Sequence, residues 1–201
     1  MDKTYYDIGD GTLSKIVIEK ALNRLGDLLK EKNQRIELVA AGGVISVLQF
    51  GSRHMTRDVD VIIQEKDKVL LKALINQVGR EQNLPIGDHA WLNDGVSFFG
   101  LKTKSTNLIF NHSHLAVFSA SWHELLGMKL SGAWRRRTDY NDAVHILRKI
   151  GNKNKEKTLK EAMQYRNFSP YVDDKDFTIR FNDTWQNAFE KKPTEIIKKG
   201  W

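Results

Sequence analysis

The chain contains no cysteine and only three prolines among its 201 residues. The absence of cysteine excludes disulfides and cysteine-ligated metal sites, and it is typical of proteins in the reducing cytoplasm. No apolar run approaches the length of about 18 residues that a membrane-spanning helix needs. The polar start, Met-Asp-Lys-Thr-Tyr-Tyr-Asp, has no apolar signal-peptide core. We therefore expect a cytoplasmic protein with no membrane segment.

Charged residues are abundant, and positive charge is in excess. They make up 28% of the chain, hydrophobic residues make up 40%, and the formal net charge is +7. These proportions are those of a globular protein, and the length fits one domain, or one domain with a helical extension. The positive charge favours a polyanionic partner such as RNA, or a nucleotide, although many surface lysines only contact solvent.

Hydrophobic periodicity predicts strands early in the chain and helices late. It predicts early helices over 12–32, 44–50 and 67–83, and strands over 36–41, 58–63, 96–101, 106–111 and 115–119. It predicts later helices over 121–132, 138–150, 154–166 and 173–191. The pattern indicates an α+β (α/β) fold: a small mixed sheet backed by helices over residues 1–120, with a helical region over 121–201 packed on it.

Two carboxylates are closely spaced in one predicted strand, Asp58-Val-Asp-Val-Ile-Ile63. Side chains alternate along a strand, so Asp58 and Asp60 are expected on one face, about 7 Å apart at their Cα atoms. Their repulsion is relieved by a divalent cation, and Mg²⁺ is typically held by one or two carboxylates together with phosphate oxygens and waters. The pair therefore indicates a metal site, although Asp-x-Asp alone is usually a solvated strand end.

A glycine pair, Gly42-Gly43, separates the strand predicted over 36–41 from the short helix predicted over 44–50. Glycine lets the backbone approach a ligand closely, and the free N–H groups at a helix start favour an anion. Gly-Gly alone is usually only a turn. Together with the acid pair that follows, it favours a site in which the helix start binds a triphosphate and the aspartates bind its cation.

This segment resembles the nucleotidyltransferase superfamily, which has the polymerase-β-like fold. The superfamily pattern is an apolar residue, Gly-Gly or Gly-Ser, ten or so residues, and Asp-x-Asp or Asp-x-Glu. The run Gly51-x-Arg-x-x-Thr-x-Asp-x-Asp60 is closer to one subgroup, the AbiEii-type toxins and related uncharacterised bacterial nucleotidyltransferase-like proteins. The resemblance covers roughly residues 35–150.

A second segment, residues 121–147, supports the subgroup. The subgroup has a Leu-Leu-x-x-Lys-Leu helix, a basic turn and a further aspartate on the next helix, and Lys129, Arg137, Asp139 and Asp142 lie at or near these positions. Without the resemblance, a solvent-exposed surface lysine is an equally good interpretation of Lys129. Asp139 lies near a predicted helix start, where an acid favours the helix dipole, so capping is its expected role.

The resemblance implies a metal-dependent enzyme that moves a nucleoside monophosphate from an NTP to a hydroxyl acceptor. It assigns catalysis to Asp58, Asp60, Lys129 and Asp142. It assigns nucleotide binding to Gly42, Gly43, Arg53, Thr56 and Arg137. The implied cofactor is Mg²⁺ or Mn²⁺, held by Asp58 and Asp60. The implied acceptor is tRNA or another RNA, in a toxin–antitoxin or phage-defence setting with an antitoxin partner, while a small-molecule hydroxyl is the alternative.

One feature of the superfamily is missing from the sequence. A third carboxylate is expected on a later strand, near 107–111 or 115–119, but neither segment contains Asp or Glu. Asn107 and Asn111 stand where an acid is expected, and Asp94 lies in the preceding turn. An asparagine carbonyl can coordinate a cation but brings no charge. Either two acids suffice here, or the chain is an inactive relative that binds nucleotide, RNA or a protein partner.

Overall fold

A computed structural model describes residues 13–96, 104–132, 137–166 and 172–190, with the backbone alone at 104–106 and 137. The chain divides into two compact units, Met1–Ala120 and Ser121–Trp201. All strands of the described residues lie in the first unit, and the second unit contains helices. The fold is α+β, with a mixed sheet and a helical C-terminal half, which confirms the predicted class.

The first unit contains a five-stranded sheet and a two-stranded ribbon. The strands are β1 (Leu13–Ser14), β2 (Ile36–Ala40), β3 (Met55–Thr56), β4 (Val59–Ile62), β5 (Leu92–Asn93), β6 (Lys104–His112) and β7 (Leu115–Ala120). The order in the sheet is β5-β4-β2-β7-β6, and β1 pairs with β3 in the ribbon. β2 is antiparallel to β4 but parallel to β7, and β4 is parallel to β5. This order makes β4, which contains Asp60, the neighbour of the edge strand β5.

The described part of the first unit contains the helices α1 (Lys15–Glu31), α2 (Gly43–Ile45) and α3 (Lys68–Gln82). Ser14 is the N-cap of α1. Its hydroxyl accepts a hydrogen bond from Val17 N–H and so satisfies one of the free donors of the first turn. α2 continues as a π-helical stretch over Ser46–Phe50 and ends at Gly51, which has φ +62°.

The helices α1 and α3 are joined on their exposed sides by an ion pair. Arg24 Nε donates to Glu81 Oε2 at 2.7 Å, and Arg24 Nη2 donates to Glu81 Oε1 at 3.2 Å. The hydrogen bonds from Arg24, and then from Gln77, lower the pKa of Glu81 to about 2. The same contact raises the pKa of Arg24. Below this pair the two helices contribute buried leucines to the core, among them Leu25 and Leu71.

In the second unit, the described residues form α-helices around an aromatic core. They are α4 (Trp122–Gly132), α5 (Arg137–Ile150), α6 (Lys155–Met163) and α7 (Asp174–Trp185). The side chains of Phe177, Phe181 and Trp185 on α7 are at most 5% exposed. Arg180 Nη1 donates to Leu130 O at 3.0 Å, so α7 satisfies a carbonyl in the last turn of α4.

The sequence predicted most helices within a few residues and missed three two-residue strands. Leu13 and Ser14 form β1 rather than the first residues of a helix, and Ser14 is the cap instead of the residues around Asp10–Thr12. Leu92–Asn93 is a strand inside the segment predicted as a turn, because it pairs with Val59–Asp60. Most of the strand predicted over 96–101 lies outside the described residues. In the described segments, no helix is both long enough and apolar enough to cross a membrane.

Candidate functional site in the strand–glycine–strand segment

The chain turns sharply at Gly42, between β2 and α2. Gly42 has φ +73° and ψ −150°, a conformation that is essentially limited to glycine. The turn ends β2 and starts a helical stretch, Gly43–Phe50, whose Val44, Ile45 and Val47 are buried. The buried helix face fixes the stretch to the core, so its first residues stay at the end of β2.

The acid pair occupies the less buried side of β4. Val59, Val61 and Ile63 are at most 8% exposed, whereas Asp58 and Asp60 are partly exposed. Asp60 lies in the strand and Asp58 immediately precedes it. The alternation within β4 places the Asp60 carboxylate on the side opposite the core, as the sequence predicted, and Asp58 is also only partly buried.

The Asp60 carboxylate lies directly on Gly42. A Cβ atom at residue 42 would be 2.6 Å from Asp60 Oδ2, and the Ala41 N–H donates to the Asp60 carbonyl at 2.9 Å. Only a residue without a side chain leaves this space to the carboxylate. Two separate constraints therefore require glycine at position 42: the backbone conformation and the contact with the Asp60 carboxylate.

Gly43, the next residue, is covered by a different pair of side chains. A Cβ atom at residue 43 would be 2.5 Å from Thr56 Oγ1 and 3.3 Å from Arg53 Nη1. Thr56 is held there by β3, in which it pairs with Leu13 of β1. A guanidinium and a hydroxyl thus meet at the first helical residue, where helix N–H groups also favour an anion.

A buried hydroxyl lies in the same loop. Ser52 Oγ is buried, and it has no hydrogen-bond partner among the residues that the structure describes. Buried hydroxyls are normally hydrogen-bonded, and the exceptions often mark functional positions. The loop over Ser52–Thr56 therefore offers a hydroxyl, a guanidinium and a second hydroxyl within five residues of chain, which fits the binding of phosphate oxygens.

The residue paired with Asp60 in the sheet is an asparagine that the sequence did not predict as part of the site. Asn93 on β5 pairs in register with Asp60. A Cβ atom at Gly95 would be 2.8 Å from Asn93 Oδ1 and 3.6 Å from Asp60 Oδ1, so both oxygens approach the same point. A strand of two residues has no detectable hydrophobic periodicity. The signals that indicate the position of Asn93 are the apolar Trp91-Leu92 pair before it and the Asp-Gly turn after it.

The positions predicted for a third metal ligand are too far from Asp60. Asn107 and Asn111 lie on β6, and β2 and β7 separate that strand from β4. At a strand spacing of about 4.8 Å, this separation is about 14 Å. Asp94 is also committed elsewhere, because its Oδ1 accepts from Ile63 N–H at 3.1 Å and its Oδ2 pairs with Lys68 Nζ at 3.2 Å.

The predicted residues Lys129 and Asp142 form a buried ion-pair cluster in the second unit. Lys129 Nζ lies 2.7 Å from Asp139 Oδ1 and 2.8 Å from Asp142 Oδ2, and these contacts join α4 to α5. Lys129 is 9% exposed and Asp142 is 1% exposed, so the interpretation of Lys129 as a surface residue is wrong. Asp139 lies in the first turn of α5, where an acid was predicted to cap the helix, and its carboxylate contacts Lys129.

His145, one turn after Asp142 on α5, is affected by the same surroundings. Burial lowers the pKa of His145, Arg148 lowers it further, and Asp142 acts in the opposite direction. The imidazole is therefore neutral over a wider pH range than a free histidine. The side chain of Arg137, which the sequence analysis assigned to nucleotide binding, lies outside the described residues.

The chemistry available in the first unit combines cation and anion binding on adjacent residues. Asp58 and Asp60 have carboxylate oxygens, and the Asp60 carboxylate lies at Gly42. Arg53 and Thr56 have hydrogen-bond donors, and both lie at Gly43. No group of three or more His, Asp or Glu side chains that could hold a metal ion is found among the described residues. A cation bound by the pair would thus take its other ligands from phosphate, water or amide oxygens, as Mg²⁺ commonly does.

The chain was compared with protein-family models, curated proteins and solved structures. No family model, no curated protein and no solved structure matches it. The resemblance to nucleotidyltransferases therefore rests on the motif residues themselves.

Proposed function

We propose that the chain is a metal-dependent nucleotidyltransferase. It joins a hydroxyl oxygen of an acceptor to the α-phosphorus of an NTP and releases pyrophosphate. The observation that supports this best is the arrangement on the glycine pair, with the Asp60 carboxylate on Gly42 and the Arg53 guanidinium and Thr56 hydroxyl on Gly43. A metal–triphosphate is bound through carboxylate oxygens on its cation and through cationic donors on its phosphate oxygens.

In this proposal each part of the segment has one role. Asp58 and Asp60 hold Mg²⁺ or Mn²⁺, which supplies Lewis-acid polarisation of the phosphoryl oxygens. Gly43 and the helix start receive the triphosphate, and Arg53 neutralises part of its charge. Thr56 donates a hydrogen bond to a phosphate oxygen. Lys129 is already paired with two carboxylates, so we assign it to the stability of the second unit rather than to phosphate binding.

The direct test is transfer of radiolabelled nucleotide. Each of the four NTPs, α-labelled, is incubated with the protein in Mg²⁺ and in Mn²⁺, with bacterial RNA, with tRNA, and with the protein alone as acceptor. We expect label in the RNA with the wild type, and a loss of at least about 100-fold in Asp60→Asn. An absence of transfer by the wild type with every NTP and either metal would contradict the enzymatic proposal.

A second candidate is a nucleotidyltransferase fold that binds nucleotide, RNA or a protein partner without catalysis. It is favoured by one observation: the sheet neighbour of Asp60 on β5 is Asn93, not an acid. Calorimetry with Mg-ATP separates the two candidates. Binding that persists in Asp60→Asn, with no turnover by either protein, supports the binding module.

The acceptor proposed first is tRNA, and the setting is a toxin paired with an antitoxin. The net charge of +7 supports an RNA acceptor. A small molecule with a free hydroxyl is the other acceptor class, and the labelling experiment distinguishes them when such molecules replace RNA.

A further inference from the structure

A cavity of about 280 Å³ lies in the first unit, between α3 and the segment that leads into β5. Its walls include four apolar side chains that are at most 8% exposed: Ile63, Ile75, Ala90 and Leu92. Ligand sites for small molecules are typically about 300–1,000 Å³ and mostly apolar with a few polar groups. The volume lies just below this range, so the cavity suits a small ligand.

Several polar groups at the cavity are already engaged within the protein. Lys68 pairs with Asp94 and with Glu65, and the second oxygen of Asp94 accepts from Ile63 N–H. Asn76 Oδ1 accepts from Gly87 N–H at 2.9 Å. These bonds hold the lining side chains in place. The Asp94 carboxylate and the Asn76 carbonyl therefore already have partners within the protein.

Three groups at the cavity keep hydrogen-bonding capacity for a ligand. Lys72 lies one helical turn after Lys68 on α3, and it forms no ion pair with any residue in the described ranges. Asn76, a further turn along, retains its amide N–H donors. Asp88, in the short 3₁₀ turn Gly87–His89, also lines the cavity. A ligand that satisfies all three carries an anionic group for Lys72 and Asn76, and an N–H donor for Asp88.

We propose that this cavity binds a nucleoside monophosphate whose base carries an exocyclic amino group. The base lies against Ile63, Ile75, Ala90 and Leu92, the phosphate contacts Lys72 and Asn76, and the amino group donates to Asp88. A flat ring with a polar edge and an anion at its other end matches this arrangement, because the apolar wall and the three polar groups are all used.

The site differs from the proposed triphosphate site and does not rest on the transfer reaction. Leu92 pairs with Val59, whose side chain is on the buried side of β4, whereas Asp60 is on the other side. The cavity therefore opens beside α3, behind the strand that holds the acid pair. The two sites share Asn93, which lines the cavity and whose Oδ1 approaches Asp60 Oδ1 near Gly95.

The test is calorimetric titration of the full chain with AMP, IMP and adenosine in EDTA, which removes the divalent cations that the triphosphate site would need. IMP lacks the amino group, and adenosine lacks the phosphate. We expect saturable binding of AMP, with IMP and adenosine each about tenfold weaker, since a hydrogen bond to a charged group contributes about 1.5 kcal/mol or more.

Substitutions at two exposed residues test which side chains cause the preference for AMP over adenosine and over IMP. Lys72→Gln should remove the preference for AMP over adenosine, and Asp88→Asn should remove the preference for AMP over IMP. Lys66→Gln is the matched control, since Lys66 is an exposed lysine close in sequence that does not line the cavity. Asp60→Asn should bind AMP like the wild type.

Three results would overturn the proposal. The first is an absence of saturable AMP binding to the wild type at millimolar concentrations. The second is a pair of preferences that survive both cavity variants. The third is AMP binding that is lost in Asp60→Asn, because the nucleotide would then occupy the triphosphate site. None of these depends on whether the protein transfers nucleotides, which the labelling experiment decides.

Discussion

Gly42 has a structural role that no other residue can fill, because its backbone conformation and the Asp60 carboxylate both exclude a side chain. φ +73° with ψ −150° is nearly restricted to glycine, and a Cβ atom would overlap Asp60 Oδ2. Such conformations are retained where the surrounding structure forces them, often at functional sites. A substitution at Gly42 should therefore affect both the stability of the fold and the position of the Asp60 carboxylate.

Gly42→Ala is expected to destabilise the protein by about 3 kcal/mol and to displace Asp60. Binding of Mg-ATP should fall at least about tenfold. Gly51→Ala is the matched control: Gly51 also has positive φ, but nothing lies within 4 Å of its Cβ position. It should lose only about 1–2 kcal/mol and keep its affinity for Mg-ATP. Urea denaturation and calorimetry measure both effects, and equal loss of affinity in the two variants would contradict the role of the Asp60 contact.

The sequence predicted the orientation of Asp60 but not its neighbours. The orientation of Asp60 follows from the two-residue alternation with Val59 and Val61, which is a local property of a strand. Asn93 could not be predicted, because its position beside Asp60 depends on pairing between segments about 30 residues apart. Arg53 and Thr56 were identified only through the resemblance, and the structure brings both to Gly43.

At the scale of elements, the two-residue strands show where periodicity fails. β1, β3 and β5 each exist only because a distant partner supplies hydrogen bonds. The π-helical stretch Ser46–Phe50 was predicted simply as helix, since an apolar stripe does not distinguish the two geometries. By contrast, α1 and α3 have long amphipathic patterns, and their predicted bounds agree with the structure within three residues.

The Lys129 cluster joins α4 to α5, so its removal tests the stability of the helical unit. Lys129→Met removes the ammonium group that contacts the Asp139 and Asp142 carboxylates, and Asp142 is 1% exposed. We expect a loss of about 3–5 kcal/mol in the free energy of unfolding. Adding Asp139→Asn and Asp142→Asn should recover much of it, because the negative charges that Lys129 offsets are then removed.

Lys160→Met is the control for this experiment, because Lys160 is an exposed lysine on α6 of the same unit. It should change stability by no more than about 0.5 kcal/mol. A Lys129→Met protein that is as stable as the wild type but inactive in nucleotide transfer would contradict the structural role. Lys129 would then be assigned to phosphate.

The Arg24–Glu81 pair between α1 and α3 gives a prediction for pH. The pKa of Glu81 is lowered from 4.5 to about 2, so its folded state favours the ionised form. Its stabilising contribution is therefore complete above about pH 4.5 and is lost as the pH falls towards 2. In urea denaturation, Glu81→Gln should be less stable than the wild type at pH 7, and the difference should vanish near pH 2. A difference that stays constant across this range would contradict the assignment.

The whole molecule combines two units that have separate cores. The first unit buries the apolar faces of α1, α3 and the sheet, and the second buries the aromatic residues of α7. Of the six candidate residues in the first unit, Arg53 and Thr56 lie at Gly43, and Asp60 lies at Gly42. Lys129 and Asp142 meet in the second unit. The sequence predicts a boundary at residue 120, because the strand pattern ends there and the long helical pattern begins.

Net charge is the property of the whole chain that bears on the acceptor. A formal charge of +7 favours contact with phosphates, and each neutralised phosphate releases condensed counterions. If tRNA is the acceptor and the protein contacts about three to four phosphates of its helical stems, affinity should fall about 40- to 150-fold between 50 and 200 mM salt, at a slope of about −0.9 per phosphate. Filter binding across this range measures the slope.

Asp60→Asn provides the control for the salt experiment, because it removes the cation site but no phosphate-binding lysine or arginine. Its slope should equal that of the wild type even where transfer is lost. Affinity for tRNA that does not change with salt would mean that the positive charge faces solvent rather than an RNA backbone. The acceptor would then be sought among small molecules with a free hydroxyl, since their binding requires contacts with few or no phosphates.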